Sequence, residues 1–360
     1  MRTIGIEEEL FLVDPATGEL TAVAQSAVES RAATSAETTI ELELYQQQIE
    51  LATAPEDDLD ALRRRLVEAR TAVVAAAGAA GASAVAMPVP VLSVPRHPDL
   101  TPDERYERIQ TDYGRLARDA VACAMHLHVA VEDDEVVRVV DGVRPWLPSL
   151  LAISANSPFN RGEDTGHASW RSQVWSRWPS AGPRQEFGSS EEYDRTTRLL
   201  VEWGASLDEP MVYFDVRPGN GLPTVEIRVA DVCTDVDDAI LLAALGRALV
   251  TTAAAGRTST EGWRADLLRA AQWRAAHDGL AGGLVDPTTW KLSPAATVLD
   301  ALVEHVRDAL EDTGDLDLVR ELASRVLADG GGAERQRALV RDGATMPEVV
   351  ADLARRTAAS

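Results

Sequence analysis

Lysine is nearly absent from this chain. Lys291 is the only lysine among 35 lysine and arginine residues. A P-loop needs a lysine after a glycine-rich run, and Schiff-base chemistry needs a buried lysine. The sequence around it, Thr289-Trp290-Lys291-Leu292, offers neither context. Any handling of phosphate must therefore rely on arginine and metal.

Cysteine, long apolar runs and positive net charge are also lacking. Cys123 and Cys233 are too few for a disulfide framework, and their apolar surroundings predict reduced core residues. There is no run of roughly 18 apolar residues, and residues 1–4 lead into a strand pattern without the apolar segment of a signal peptide, so we expect a cytoplasmic protein. The net charge of -23 argues against nucleic acid and membrane partners.

The remaining composition predicts a folded α+β protein. The chain has 360 residues and 45% hydrophobic content, which is ample for a packed core. No internal repeat or convincing linker divides it, so we expect one catalytic domain over residues 1–360. The C-terminal part, from about residue 235, is rich in alanine, leucine and arginine and is predicted to be mainly helical, with a break at residues 330–332.

Turn signals and periodicity predict the order of the elements before residue 235. A first strand ends at the turn 14–18, and a second covers residues 45–53. Helices are predicted over about 55–80 and about 103–120, with a short strand at 84–87 between them, and another helix ends at 146–148. Residues 154–190 form a long loop-rich segment with three tryptophans, which favours a functional loop over disorder.

Four short segments alternate apolar residues with charged or metal-binding ones. They cover residues 5–11, 123–129, 211–217 and 224–229. Successive strand side chains point to opposite faces, so each segment has one apolar and one polar face. The pairs on the polar face are Glu7 with Glu9, His126 with His128, Asp215 with Arg217, and Glu226 with Arg228. Carboxylate, imidazole and guanidinium groups bind divalent metal and phosphate, so we interpret this face as an active site.

Each pattern alone also has an ordinary structural explanation. A single Glu-x-Glu on a strand is usually a solvated face, and His128 could support His126 without binding metal itself. Trp170, Trp175 and Trp178 fit packing under a loop better than a stacking platform for adenine. Only the combination of the patterns, in order along one chain, favours a metal site.

Eight sequence blocks occur in a fixed order along the chain. They are Gly5-Ile6-Glu7-Glu8-Glu9, Glu43-Leu44-Tyr45-Gln46-Gln47-Gln48-Ile49-Glu50, Met125-His126-Leu127-His128, Arg144-Pro145-Trp146-Leu147-Pro148, Ser154-Ala155-Asn156-Ser157-Pro158, Trp175-Ser176-Arg177-Trp178-Pro179, Asp215-Val216-Arg217-Pro218 and Thr224-Val225-Glu226-Ile227-Arg228. Together they resemble the type 2 glutamate-cysteine ligases, also described as YbdK-type carboxylate-amine ligases. The resemblance covers nearly the whole chain.

The resemblance implies a fold and a reaction. The fold is a glutamine-synthetase-like catalytic fold, in which an antiparallel sheet carries the active site on its polar face and helices on the other. The reaction is ATP-dependent amide formation through an acyl phosphate, with Mg²⁺ or Mn²⁺ as the metal. The family name suggests L-glutamate as the carboxylate and L-cysteine as the amine, giving γ-glutamylcysteine, ADP and phosphate. A homodimer is left open.

The resemblance also assigns site residues. Metal ligation is expected from Glu7, Glu9, Glu43, Glu50, His126 and Glu226. Arg171 and Arg228 resemble the arginines that neutralise the γ-phosphoryl group and the acyl phosphate. Arg217 either binds a substrate carboxylate or pairs with Asp215, and His128 is expected at the substrate.

The sequence leaves two questions open, namely how Glu43 and Glu50 reach one site and which reaction the acidic residues support. Glu43 and Glu50 are seven positions apart and would face opposite sides of an unbroken strand, so either a bulge separates them or Glu43 precedes the strand. The same acidic set could also serve a metal-dependent amide hydrolase, with metal-activated water as the nucleophile. A homologue without catalysis that binds a nucleotide or an amino acid is the third alternative. Turnover that requires ATP separates these classes.

Overall fold

The computed structural model describes residues 1–30 and 38–359. The strands are β1 (Ile4–Val13), β2 (Thr38–Leu42), β3 (Gln48–Thr53), β4 (Ser83–Val85), β5 (Ala124–Ala130), β6 (Phe159–Asn160), β7 (Glu163–Asp164), β8 (Val216–Pro218), β9 (Thr224–Asp231), β10 (Gly283–Asp286) and β11 (Lys291–Pro294). The helices are α1 (Ala24–Ser30), α2 (Leu59–Ala79), α3 (Glu104–Tyr113), α4 (Arg115–Asp119), α5 (Val136–Gly142), α6 (Leu147–Ser154), α7 (Trp170–Trp175), α8 (Ser190–Glu202), α9 (Val236–Ala254), α10 (Ala265–Asp278), α11 (Ala295–His305), α12 (Arg307–Thr313), α13 (Leu316–Asp329), α14 (Gly332–Arg341) and α15 (Met346–Ala358).

One antiparallel sheet organises the described part of the chain. Its strands follow the order β2-β3-β1-β5-β9-β8, and β4 pairs with the C-terminal end of β1. Helices α2, α6 and α9 contact these strands. The predicted α+β class with an antiparallel sheet is confirmed. None of the helices within the described ranges is long and apolar enough to cross a bilayer.

Helix α9 packs against the apolar face of the sheet. This helix is buried along nearly all of its length, as its run of alanine, leucine and isoleucine requires. Gly246 lets α9 approach β5 closely, since a Cβ at this position would lie 2.9 Å from Leu127 Cδ1. Cys123 and Cys233 are buried and unpaired, so the prediction of reduced core cysteines is confirmed.

Several predicted element boundaries are wrong, for local reasons. The helix predicted over about 103–120 is divided at Gly114, whose φ of 54° lies in the left-handed region. No helix ends at Pro148; instead α6 begins at Leu147, because proline in the first turn lacks only an N–H that would have no helical partner. Strand β2, helix α8 and the β10–β11 hairpin carry weak signals and were not predicted.

Glu8 points to the apolar face of β1, where a charge has no counterpart in the sequence pattern. The structure supplies one from α2: Arg70 Nε and Nη2 donate to the Glu8 carboxylate at 2.8 Å each. Both side chains are at most 1% exposed. Arg70 also donates to the carbonyl oxygens of Thr234 and Cys233, at 2.7 and 2.6 Å. The pair therefore joins β1, α2 and the chain after β9 beneath the site.

Arg70→Met is expected to lower the free energy of unfolding by about 3–5 kcal/mol, because it leaves the Glu8 carboxylate buried without a counter-charge. Thermal and denaturant unfolding would measure this loss. Arg64→Met, at an exposed position of the same helix, is the matched control and should change little. Equal stability of the two variants would contradict a structural role for the pair.

Candidate active site

The strand register brings charged side chains from five strands of the sheet onto one face. Glu9 on β1 lies opposite Glu50 on β3, and Glu7 lies opposite His126 on β5. His128 lies opposite Glu226 on β9, which in turn lies opposite Arg217 on β8. Residues far apart in sequence therefore form neighbouring rows across the sheet.

A cleft of about 1130 Å³ opens over this face. It is lined by the six residues expected to bind metal, together with His128, Arg217 and Arg228. Glu43 lies between β2 and β3, so it precedes the strand that carries Glu50. The chain reverses between them, which explains how two residues that an unbroken strand would place on opposite faces reach the same cleft.

The first candidate metal group consists of Glu9, Glu43 and Glu50. One carboxylate oxygen from each lies within 4.8 Å of the others. Burial, reinforced by the charge of Glu43, raises the pKa of Glu9 to about 7 and raises that of Glu50 well above its ordinary value. Burial also raises the pKa of Glu43. Glu9 is buried and Glu43 and Glu50 are half-buried, and three neighbouring carboxylates of this kind fit a hard divalent ion such as Mg²⁺ or Mn²⁺.

The second candidate group consists of Glu7, His128 and Glu226, with ligand atoms again within 4.8 Å of one another. His126 lies beside it, with Nδ1 3.4 Å from Glu7 Oε2 and 3.8 Å from Glu226 Oε1. Burial, together with the charge of Arg228, lowers the pKa of His126 to about 3. A neutral imidazole is the form that binds metal. Either histidine is thus placed to complete this group, whereas the family resemblance implied His126.

Glu7 contacts both His126 and His128. His128 Nε2 lies 3.2 Å from Glu7 Oε1, on the opposite oxygen from His126. Burial alone would raise the pKa of Glu7, but hydrogen bonds from His126 and His128 outweigh it and lower the pKa. Glu7 is therefore an ionised oxygen donor at neutral pH.

Two arginines flank Glu226. Arg217 Nε donates to Glu226 Oε2 at 2.7 Å, and Arg228 Nη1 donates to Glu226 Oε1. Arg217 also donates to the carbonyl oxygens of Pro210 and Val212, so its ion-pair partner is Glu226 and not Asp215. Burial, together with the charge of Arg217, lowers the pKa of Arg228 to about 10, which leaves it charged at neutral pH.

Arg171 belongs to α7; its guanidinium contacts the backbone of β9 and does not line the cleft. It is 2% exposed and donates to the carbonyl oxygens of Arg228 and Val229 at 3.3 and 3.4 Å. Its Nη1 lies 3.9 Å from Asp231 Oδ1. The Nε atoms of Arg171 and Arg228 are both buried without a hydrogen-bond partner in the described residues. Both guanidinium groups therefore retain donor capacity for a ligand.

Several residues of the cleft were not assigned from the sequence. Trp175, Trp178 and Tyr213 form an aromatic cluster, with Trp175 and Tyr213 ring centroids 4.7 Å apart. The tryptophans pack together as expected, but they also line the cleft. Tyr213 shares the alternation of Asp215 and Arg217, which is the signal that could have found it. Arg105 on α3 also lines the cleft and pairs with Asp208 at 2.6 Å.

Comparison with known proteins decides the family. The model of glutamate-cysteine ligase family 2 matches residues 3–355. The chain belongs to this family. A Streptomyces coelicolor family member named "Putative glutamate--cysteine ligase 2" is 46% identical over all of both chains. A Streptomyces avermitilis member is also 46% identical and covers 99% of each chain.

Two solved structures of ligases superimpose on this chain. A bifunctional glutathione synthetase from Pasteurella multocida superimposes with a TM-score of 0.75 at 17% identity, over 99% of this chain and 52% of that one. A glutamate–cysteine ligase from Francisella tularensis, solved with AMP, gives a TM-score of 0.72 at 14% identity, over 99% of this chain and 88% of that one. The chain therefore shares the fold of these two ligases.

Proposed function

We propose that this protein joins L-glutamate to L-cysteine, using ATP and a divalent metal, to give γ-glutamylcysteine, ADP and phosphate. The observation that supports this most directly is the arrangement around Glu226. That carboxylate belongs to one candidate metal group and is also paired with Arg217 and Arg228. Metal donors and phosphate-binding donors therefore converge on one point of the cleft, as phosphoryl transfer to a carboxylate requires.

The carboxylate groups fit the metal expected for such a reaction. Glu9, Glu43 and Glu50 would hold one divalent ion, and Glu7, Glu226 and a histidine would hold another. A bound ion would supply neutralisation of the triphosphate and of the phosphoryl group in transfer. Oxygen donors with one or two imidazoles are the ligand set that Mg²⁺ and Mn²⁺ accept.

The arginines provide the second part of the chemistry. Arg228 reaches the cleft from β9 and carries a planar fork that matches phosphate oxygens. It would neutralise charge as the γ-phosphoryl group moves to the substrate carboxylate. Arg217 is fixed by the carbonyl oxygens of Pro210 and Val212, which orients it beside Glu226. Arg171 supports Arg228 through the β9 backbone and extends the positive charge beyond it.

Two products measured together test this function. With Mg²⁺ and ATP, we expect ADP formation to depend on L-glutamate as the carboxylate, and we expect hydroxylamine to trap a hydroxamate in proportion to ADP, because hydroxylamine attacks an acyl phosphate. Amide formed with no ATP-dependent hydroxamate would exclude the acyl-phosphate route. Amide hydrolysis that needs metal but no ATP would identify a hydrolase, and ATP binding without ADP would identify a protein without catalysis.

Arg228→Lys is expected to reduce hydroxamate trapping about 10²-fold, because lysine keeps the charge but loses the two-pronged contact with phosphoryl oxygens. Arg341→Lys, at an exposed position on α14, is the matched control and should trap as well as the unmodified protein. Equal trapping by the two variants would rule out a phosphoryl-binding role for Arg228.

A further inference from the structure

A second cavity of about 740 Å³ adjoins the metal cleft at the β8–β9 edge of the sheet. Arg228 and Trp175 line both cavities, so the two spaces meet at the guanidinium beside Glu226. The second cavity is otherwise bounded by Arg171, Asp215, Arg269 and Trp273. None of the six candidate metal ligands lines it. It therefore has a different chemical character from the cleft.

Asp215 has an unused carboxylate oxygen in this region. Its Oδ2 is buried and has no hydrogen-bond partner among residues 1–30 and 38–359. Gln272 forms a hydrogen bond with the Asp215 carboxylate. A buried acceptor left without a partner costs free energy, and a native structure usually meets that cost with a ligand or a water. An ammonium group would supply both a donor and the opposite charge.

The electrostatic state of Asp215 suits a cation. Burial raises its pKa to about 6, while the hydrogen bond from Gln272 and the charges of Arg184, Arg171 and Arg269 act in the opposite direction. The carboxyl group is therefore mainly ionised at neutral pH. None of these arginines forms an ion pair with Asp215 within the described ranges, so the carboxylate remains available to a bound group.

Arg269 and Trp273 supply complementary features on α10. Arg269 is exposed at the cavity and makes no ion pair with any residue that the structure describes. Trp273 is 45% exposed and forms an apolar wall together with Trp175. The cavity thus offers a carboxylate and a guanidinium, which complement the ammonium and carboxylate groups of an α-amino acid, beside an aromatic wall.

We propose that this cavity binds the amine co-substrate as an α-amino acid, with its ammonium group on Asp215 and its carboxylate on Arg269. This inference rests on the proposed ligase function. Because Arg228 lines both cavities, the amine would reach the acyl phosphate from the side of this arginine. The ammonium group would first pass one proton to Asp215, and the free amine would then attack the acyl carbon as phosphate leaves. The metal cleft would hold ATP and the acyl donor, and the second cavity would hold the acceptor.

Asp215→Asn in the full chain tests the ammonium contact. With Mg²⁺, ATP and L-glutamate, we expect the KM for L-cysteine to rise at least about 10-fold, since a charge-assisted hydrogen bond is lost. The KM values for ATP and L-glutamate should not change. Hydroxamate formation should persist, because hydroxylamine is uncharged at neutral pH and needs no site for an ammonium group. Asp112→Asn, at an exposed position on α3, is the matched control.

Arg269→Gln tests the carboxylate contact separately, and its exposed position makes misfolding less of a concern than at Asp215. We expect a raised KM for L-cysteine and an unchanged KM for cysteamine, which lacks the carboxylate. Unchanged KM values for L-cysteine in both variants would overturn the proposal. A raised KM for ATP alone would instead assign the cavity to the nucleotide and would equally overturn it.

The proposal and the ligase function fail in different ways. If the unmodified protein forms no hydroxamate and no amide, the ligase function is wrong whatever the variants do. In that case, direct calorimetric titration with L-cysteine still decides whether the cavity binds an amino acid. Binding weakened by Asp215→Asn but not by Asp112→Asn would support the site, and binding equal in both variants would refute it.

Discussion

Removal of divalent metal is expected to abolish ADP formation, leaving less than about 1% of the activity, because two groups of candidate metal ligands line the cleft in which we propose phosphoryl transfer. EDTA followed by gel filtration would prepare the metal-free protein, and excess Mg²⁺ or Mn²⁺ should restore turnover. Calcium-saturated EDTA does not remove Mg²⁺ and is the control for other effects of the chelator. Circular dichroism would detect damage to the fold. Vigorous ATP hydrolysis that EDTA does not affect would contradict the metal assignment.

The group formed by Glu9, Glu43 and Glu50 also predicts that the stability of the metal-free protein depends on pH. Burial raises the pKa of Glu9 from 4.5 to about 7, so the folded state binds more protons than the unfolded state between these values. Stability should therefore fall as pH rises through that window, and added metal should reverse the loss because it replaces the proton. Calorimetry in buffers of different ionisation enthalpy would detect the proton released on binding.

Glu226→Gln is expected to remove most of the activity, with a loss of several kcal/mol of transition-state stabilisation, on the order of 10³-fold in turnover. The amide is nearly the same size but cannot replace a charged ligand. It also leaves Arg217 and Arg228 without their shared counter-charge, so some loss of stability should accompany the loss of activity.

The control for this variant is Glu163→Gln, at an exposed position on β7, which should behave as the unmodified protein. Unfolding measurements separate the two effects of Glu226→Gln, since a folded variant without activity isolates the role in the site. Saturating Mg²⁺ should not rescue it. Wild-type turnover of Glu226→Gln at saturating Mg²⁺ would show that Glu226 is not a required metal ligand.

The sequence alone determined the class of the fold and the chemical character of the sheet face. Strand alternation has a period of two residues, so it places Glu7 with Glu9 and Glu226 with Arg228 whatever the strands pair with. The ordered blocks also identified the family, because they extend over nearly the whole chain. These features are local, and a single sequence records them directly.

Only the tertiary structure decided which of these groups meet. Strand register places His128 beside Glu7 and Glu226. The chain reversal before β3 brings Glu43 beside Glu50. Arg217 forms its ion pair with Glu226 and not with Asp215. Arg70 likewise reaches Glu8 from a helix 62 positions away. Pairings over such separations depend on how the strands and helices pack, and local periodicity carries no information about that packing. The unused Asp215 oxygen and the cavity around it therefore became visible only in the folded chain.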